Sequence, residues 1–143
     1  MEIERGTAEI VDAAVRLHRE LGPGLLESVY ERVLAASLIK AGLQVDRQVP
    51  VSFEFEGMQF ADAFRVDLIV ENAVVVELKS SAQNAPVYGK QVLTYLRLMN
   101  LNVGLLLNFG HATMKEGIRR IVNDHTSPSS VSPRLRVKSE FGN

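Results

Sequence analysis

Asp67, Glu77 and Lys79 are the ionisable side chains on two adjacent apolar runs, V-D-L-I-V at 66–70 and V-V-V-E-L-K at 74–79. Burying a charge without a partner is expensive, so two acids and an amine in this setting ask for a chemical reason. Two carboxylates on one sheet face can share a divalent cation through hard oxygen ligands, which for Mg²⁺ lie at about 2.0 to 2.1 Å. An amine beside them can counter an anion or position a nucleophile. The plainer reading of the same residues is a solvated sheet face with an ion pair.

The two runs read as β-strands joined by a tight turn. Side chains alternate along a strand, which places Val66, Leu68, Val70, Val74, Val76 and Leu78 on one face. Asp67, Ile69, Val75, Glu77 and Lys79 fall on the other. Joining the apolar sets requires Val70 to face Val74 across a three-residue connection, Glu71, Asn72 and Ala73. A two-residue turn would set Val66 against Glu77. The chosen register puts Asp67 across from Glu77, with opposed Cβ atoms roughly 4.5 to 5.5 Å apart.

Asp, nine intervening residues and then Glu-Leu-Lys resembles the PD-(D/E)XK nuclease superfamily. That resemblance implies that the acids bind magnesium and that the lysine helps to activate water.

The surrounding elements follow from periodicity and breakers. A first helix is expected from about Thr7 to Leu21, ended by Gly22-Pro23-Gly24, with His18 packed or hydrogen-bonded beside the core. A second is expected from about Leu25 or Leu26 to Lys40, with Leu26, Val29, Tyr30, Val33, Leu34 and Ile39 as its apolar face. Glu27 in its first turn suits the helix dipole, or points toward the acidic sheet face as a further carboxylate. Residues 43–55 and 58–64 alternate as two more strands around Glu56-Gly57. Phe53, Phe55 and Phe60 are expected as core or sheet-face residues, and Glu54, Glu56 and Asp62 as solvated. Pro86 opens a helix to about Met99; on it Gln91 and Tyr95 are neighbours, with Lys90 and Arg97 also available to phosphates. Residues 102–109 read as an interior strand parallel to the Glu77 strand. A final short helix is expected from Met114 to Val122, with Ile118, Ile121 and Val122 inward.

The run L-G-P-G-L-L-E-S-V-Y at 21–30 resembles the signature of the GxxExxY family through Gly24, Glu27 and Tyr30. Matching stretches follow in order: Q-V-P-V at 48–51, F-R-V-D-L-I-V at 64–70, V-E-L-K at 76–79, Q-V-L-T-Y-L at 91–96 and G-L-L-L-N-F-G at 104–110. The family is grouped with the PD-(D/E)XK nucleases. Q-x-x-x-Y after E-x-K resembles a motif of the superfamily's recombination exonucleases, which implies that Gln91 and Tyr95 orient substrate phosphate.

These readings combine into an α/β fold with a restriction-endonuclease-like core. The expected order is α-α-β-β-β-β-α-β-α around a mixed four- or five-stranded sheet. Residues 1–123 are expected to form a single domain and 124–143 a flexible tail. The functional expectation is a Mg²⁺-dependent phosphodiesterase, with Mn²⁺ as a substitute, acting on nucleic acid and on DNA in particular. Asp67, Glu77, the Leu78 carbonyl and Glu27 would hold the ion, while Lys79, Gln91 and Tyr95 act on the phosphate. The alternative is an inactive module that keeps the nuclease fold and binds nucleic acid or a partner protein.

Composition bounds both readings. The chain has 143 residues, no cysteine and a formal charge of −1. Thiolate chemistry and cysteine-ligated metals are therefore excluded, and oxygen ligation favours Mg²⁺ or Mn²⁺ over zinc. A near-neutral chain does not coat nucleic acid unaided, which leaves room for a partner protein or a homodimer. No 18-residue apolar run and no signal-peptide core occur, so a cytoplasmic location without membrane contact is expected. Neither G-x-G-x-x-G nor G-x-x-x-x-G-K-[ST] is present, which speaks against a nucleotide-binding domain.

Overall fold

The structure, a computed structural model, describes residues 2–124. Its elements are α1 (Ile3–Leu21), α2 (Glu27–Lys40), β1 (Val45–Phe55), β2 (Met58–Val70), β3 (Val74–Lys79), α3 (Pro86–Met99), β4 (Val103–Asn108), α4 (Met114–Gly117) and β5 (Ile118–Val122). The proposed tail lies outside the described residues apart from Asp124.

The five strands form one mixed sheet in the order β1-β2-β3-β4-β5. Only β3 and β4 run parallel, and α3 supplies the crossover between them. Between β2 and β3 the register is the expected one, with Val70 against Val74 and Leu68 against Val76. Glu71 and Asn72 both take positive φ, at 56° and 54°, which closes the connection before Ala73.

Each sheet face has its own apolar layer. On one, Ile10, Ala14 and Leu17 of α1 and Tyr30, Leu34 and Leu38 of α2 pack on Leu68, Val70, Val74, Val76, Leu78, Leu105 and Leu107. On the other, Val92, Tyr95, Leu96 and Met99 of α3 cover Val51, Val66, Ile69, Val75 and Leu106. Side chains such as Leu34 and Leu96 are fully buried, each stabilising the fold by about 1.5–3 kcal/mol.

Four expectations need correction. First, the expected element order differs at two places. Residues 58–64 and 66–70 belong to a single strand, β2, because Asp62 absorbs the irregularity with φ 50° while its amide donates to Ser52 Oγ at 2.7 Å. Second, the expected final helix is one turn followed by strand β5. At the junction Gly117 lies so close to Asn108 that an added Cβ would sit 2.0 Å from the Asn108 carbonyl oxygen, a close approach that the glycine allows. The free edge of β4 then recruits the β-branched Ile118–Val122, sending Arg120 to Glu4 of α1 and Arg119 across Gly89 of α3. Third, the buried face of α2 is the expected one at Tyr30, Val33 and Leu34 but not at Leu26, Val29 and Ile39. Leu26 is 73% exposed and Ile39 54%, while Tyr30, Glu31, Leu34, Ala35 and Leu38 are buried. Fourth, Val66 packs in the α3 layer with Ile69, whereas Leu68 faces α1 and α2. Strict alternation therefore breaks at Asp67.

His18 is buried, and its Nε2 meets the His111 carbonyl oxygen at 2.9 Å, which agrees with a packed role. Phe53 and Phe60 stack on the sheet face at 5.1 Å. Among the described residues, no helix is long and apolar enough to cross a membrane.

Candidate active site

The β2–β3 ladder stops at Leu68 and Val76. Asp67 and Glu77 are the next residues on the two strands, beyond the paired stretch, and there a side chain replaces the strand partner. Asp67 Oδ2 accepts the Leu78 amide at 2.9 Å. Leu78 thus contacts the acidic pair through its N–H.

Glu77 is 6% exposed, and its Oε1 has no hydrogen-bond partner among the described residues. Its other oxygen lies 3.9 Å from Lys79 Nζ. Burial pushes the Glu77 carboxyl up to about 8, helped by the charge of Asp67 and opposed by Lys79. Asp67 is also raised, by burial first, against the pull of the Leu78 amide, and then by Glu31. A buried and a half-buried carboxylate side by side disfavour joint ionisation.

From the other side of the sheet edge α3 completes the arrangement. Lys79 Nζ donates to Gln91 Oε1 at 3.4 Å and lies 4.9 Å from the centroid of the Tyr88 ring. Gln91 is in turn hydrogen-bonded to Tyr95, whose hydroxyl is pushed up to about 12 by burial and then by Glu77 and Asp67. The Tyr95 ring is fixed by stacking on Phe64 at 4.2 Å. Lys79, Gln91 and Tyr95 therefore form one chain of contacts beside Glu77, and Tyr95 keeps its proton across the neutral range.

Glu27 is the first residue of α2 and is exposed. Its charge raises both Asp67 and Glu77, the last contribution to each, without a hydrogen bond to either. Tyr30 is structural here. Its hydroxyl donates to the Gly22 carbonyl at 2.5 Å and accepts the Leu25 amide at 3.2 Å, and its ring stacks on Phe109 at 4.3 Å. Ser80 Oγ ties the same loop down through the Leu25 carbonyl at 2.7 Å, which sets where Glu27 begins its helix.

Three polar residues received no role from the sequence, although Gln48 and Asn108 lie in the quoted family stretches. Glu31 is 5% exposed and accepts from Arg47 Nε at 3.1 Å and Gln48 Nε2 at 2.5 Å. Gln48 Nε2 also reaches Asp67 Oδ1 at 3.3 Å. Asn108, fully buried at the end of β4, accepts the amides of Ser81 and Gly110, both at 3.0 Å, and donates to the Gln83 carbonyl at 2.9 Å. It fastens the loop between Lys79 and α3. The available signal for Glu31 was its place one turn beyond Glu27.

A sequence model of the PD-(D/E)XK nuclease superfamily matches residues 4–121. The chain belongs to the PD-(D/E)XK nuclease superfamily. The five-stranded sheet between helices agrees with that membership. No curated protein matches the chain significantly. A solved structure described as "Crystal structure of SSO0001" is similar at 18% identity and a TM-score of 0.41, covering 88% of this chain and 71% of that one.

PD-(D/E)XK nucleases generally use divalent metals. Among the described residues no group of three or more His, Cys, Asp or Glu side chains could hold a metal ion; an ion held at this site would have Asp67 and Glu77 as its side-chain donors. That pair fits a hard cation of the magnesium kind, which binds through one or two carboxylates and completes its shell with water and phosphate oxygens. The unpartnered, buried Glu77 Oε1 is the atom such an ion would satisfy.

Proposed function

We propose that this PD-(D/E)XK domain, of the GxxExxY type, is a magnesium-dependent phosphodiesterase acting on DNA. The observation that carries the reading is Glu77 Oε1, buried and unpartnered between Asp67 and Lys79. Asp67 and Glu77 would hold the ion, with the Leu78 carbonyl and Glu27 completing the protein's share. A divalent cation, when bound there, would supply Lewis-acid polarisation and lower the pKa of water.

The rest belongs to the chain's own groups. Lys79, held by Gln91 and Tyr88, places a cation where the attacked phosphate gathers negative charge. Tyr95 remains a phenol and offers its proton as a hydrogen bond, and Gln91 keeps the amine and the phenol in fixed relation. Lys90 and Arg97, both exposed on α3, contact flanking phosphates.

The test is purified protein with Mg²⁺ or Mn²⁺ against linear, circular, single-stranded and branched DNA, with an RNA arm and Glu77→Ala in parallel. Cation-dependent cutting lost in Glu77→Ala supports the proposal; cutting by both proteins contradicts it. A second reading, a module that keeps the fold without turnover, draws on the lack of a three-donor set among the described residues. Calorimetry separates the two, since a module shows no heat of binding at millimolar Mg²⁺ and no response to Asp67→Ala.

A further inference from the structure

Gln48 opens the Q-V-P-V run of β1 and has φ 51°, a left-handed conformation that side chains with a Cβ adopt only when their surroundings impose it. The β1–β2 ladder pairs Arg47 with Leu68 and Val49 with Val66, and skips Gln48 and Asp67 between them. The distortion on one strand therefore sits across from the break in alternation on the other. It frees the Gln48 amide to reach α2, where a single nitrogen serves two carboxylates: Glu31 Oε1 at 2.5 Å and Asp67 Oδ1 at 3.3 Å. An amide nitrogen carries two protons and can donate to both.

Glu31 is the firm end of this bridge, because it is 5% exposed and also held by Arg47. Asp67 is the half-buried end, with its second oxygen on the Leu78 amide. Without a donor between them, the two carboxylates would face each other as like charges, and Asp67 would be held through one oxygen, by the Leu78 amide, in place of two.

We infer that Gln48, anchored by Glu31, is a positioning residue that holds the Asp67 carboxylate ready for a divalent cation. The inference rests on the reading of Asp67 and Glu77 as the cation site. The alternative is that Glu31, Arg47 and Gln48 only fasten α2 to the sheet.

Gln48→Met keeps the length of the side chain and removes the donor, while Glu31→Gln keeps an acceptor for Gln48 and Glu31→Ala does not. The measurement is calorimetric titration of the full chain with Mn²⁺, with thermal melts of every variant. Gln48→Met and Glu31→Ala are expected to weaken Mn²⁺ binding by about tenfold or more, the usual effect of removing a group that orients a ligand. Glu31→Gln is expected to bind nearly as the parent does, and Gln48→Met to melt nearly as the parent does. Parent-like Mn²⁺ affinity in Gln48→Met overturns the inference, as does equal weakening in Glu31→Gln and Glu31→Ala. A parent that binds no Mn²⁺ overturns the cation site itself, which is a different failure and is read from the parent alone.

Discussion

Glu77 keeps its proton in the folded protein up to about pH 8, against an ordinary value of 4.5. Between those values the folded chain holds a proton that the unfolded chain has released, so stability falls as pH rises through that window. Asp67, raised from 3.8, adds to the same direction. Without divalent cations, melting temperature is therefore expected to drop from pH 5 to pH 8. Glu77→Gln should remove most of that slope and gain on the order of 2–4 kcal/mol at pH 8, since a tenfold difference in proton affinity is about 1.4 kcal/mol. Stability that rises over the same interval contradicts the buried, cation-seeking carboxyl. Saturating Mg²⁺ should flatten the parent's slope, because a ligand that binds only the folded form stabilises it. At this scale the sequence showed Asp67, Glu77 and Lys79 because charges stand out in apolar runs. It gave no role to Gln48 and Asn108, although both lie in the quoted family stretches, because Glu31, Asp67, Ser81 and Gln83, which they bind, lie 17 to 27 residues away.

The β2–β3 hairpin was legible as an element, since only one register joins its apolar faces, and the parallel β4 was legible as a continuous apolar run. The face of α2 was not. Apolar residues surround that helix, so the choice between Leu26, Val29 and Ile39 on one side and Leu34, Ala35 and Leu38 on the other was made by the sheet beneath it. Strand β5 was missed for a related reason: Ile118, Ile121 and Val122 also fit a helical spacing, and only the open edge of β4 decides otherwise. Two predictions belong here. Tyr30→Phe removes the hydroxyl that bridges Gly22 and Leu25, and is expected to cost about 1–2 kcal/mol in denaturant unfolding; a variant as stable as the parent would show that the bridge is idle. Gly110→Ala would place a Cβ 2.2 Å from the Ser81 carbonyl oxygen, inside hard-core contact with a backbone that cannot step aside. It is expected to displace the loop after Lys79, lowering stability by about 2 kcal/mol or more. Denaturant unfolding checks the cost, and an unchanged midpoint would place the two backbones further apart.

Across the whole molecule the proposed chemistry belongs to one end of the sheet, where β2 and β3 stop pairing and α2 and α3 approach from opposite faces. The two apolar layers hold that end in place, and the break at Asp67 is where local alternation yields to the site. The charge balance is modest: 16 basic against 17 acidic residues. Arg16, Arg47 and Arg120 are engaged with Glu20, Glu31 and Glu4. If the domain acts on DNA as proposed, this charge balance lets it grip few phosphates. In the absence of divalent cations its affinity for duplex DNA should fall with salt at a slope equivalent to about two or three phosphate contacts, measured by fluorescence anisotropy. A slope several times steeper would reveal a basic surface that the charge balance does not suggest.

If Asp67, Glu77 and Lys79 act together on a phosphodiester, removing the amine must slow cutting without emptying the cation site. The decisive comparison is the rate of DNA cleavage by the parent and by Lys79→Ala at saturating Mg²⁺, with Mg²⁺ binding measured on both. Lys79→Ala is expected to bind the cation still while cutting about 10²–10³-fold more slowly, as when one group that stabilises developing charge is lost. Equal cleavage by the two proteins would contradict that joint role.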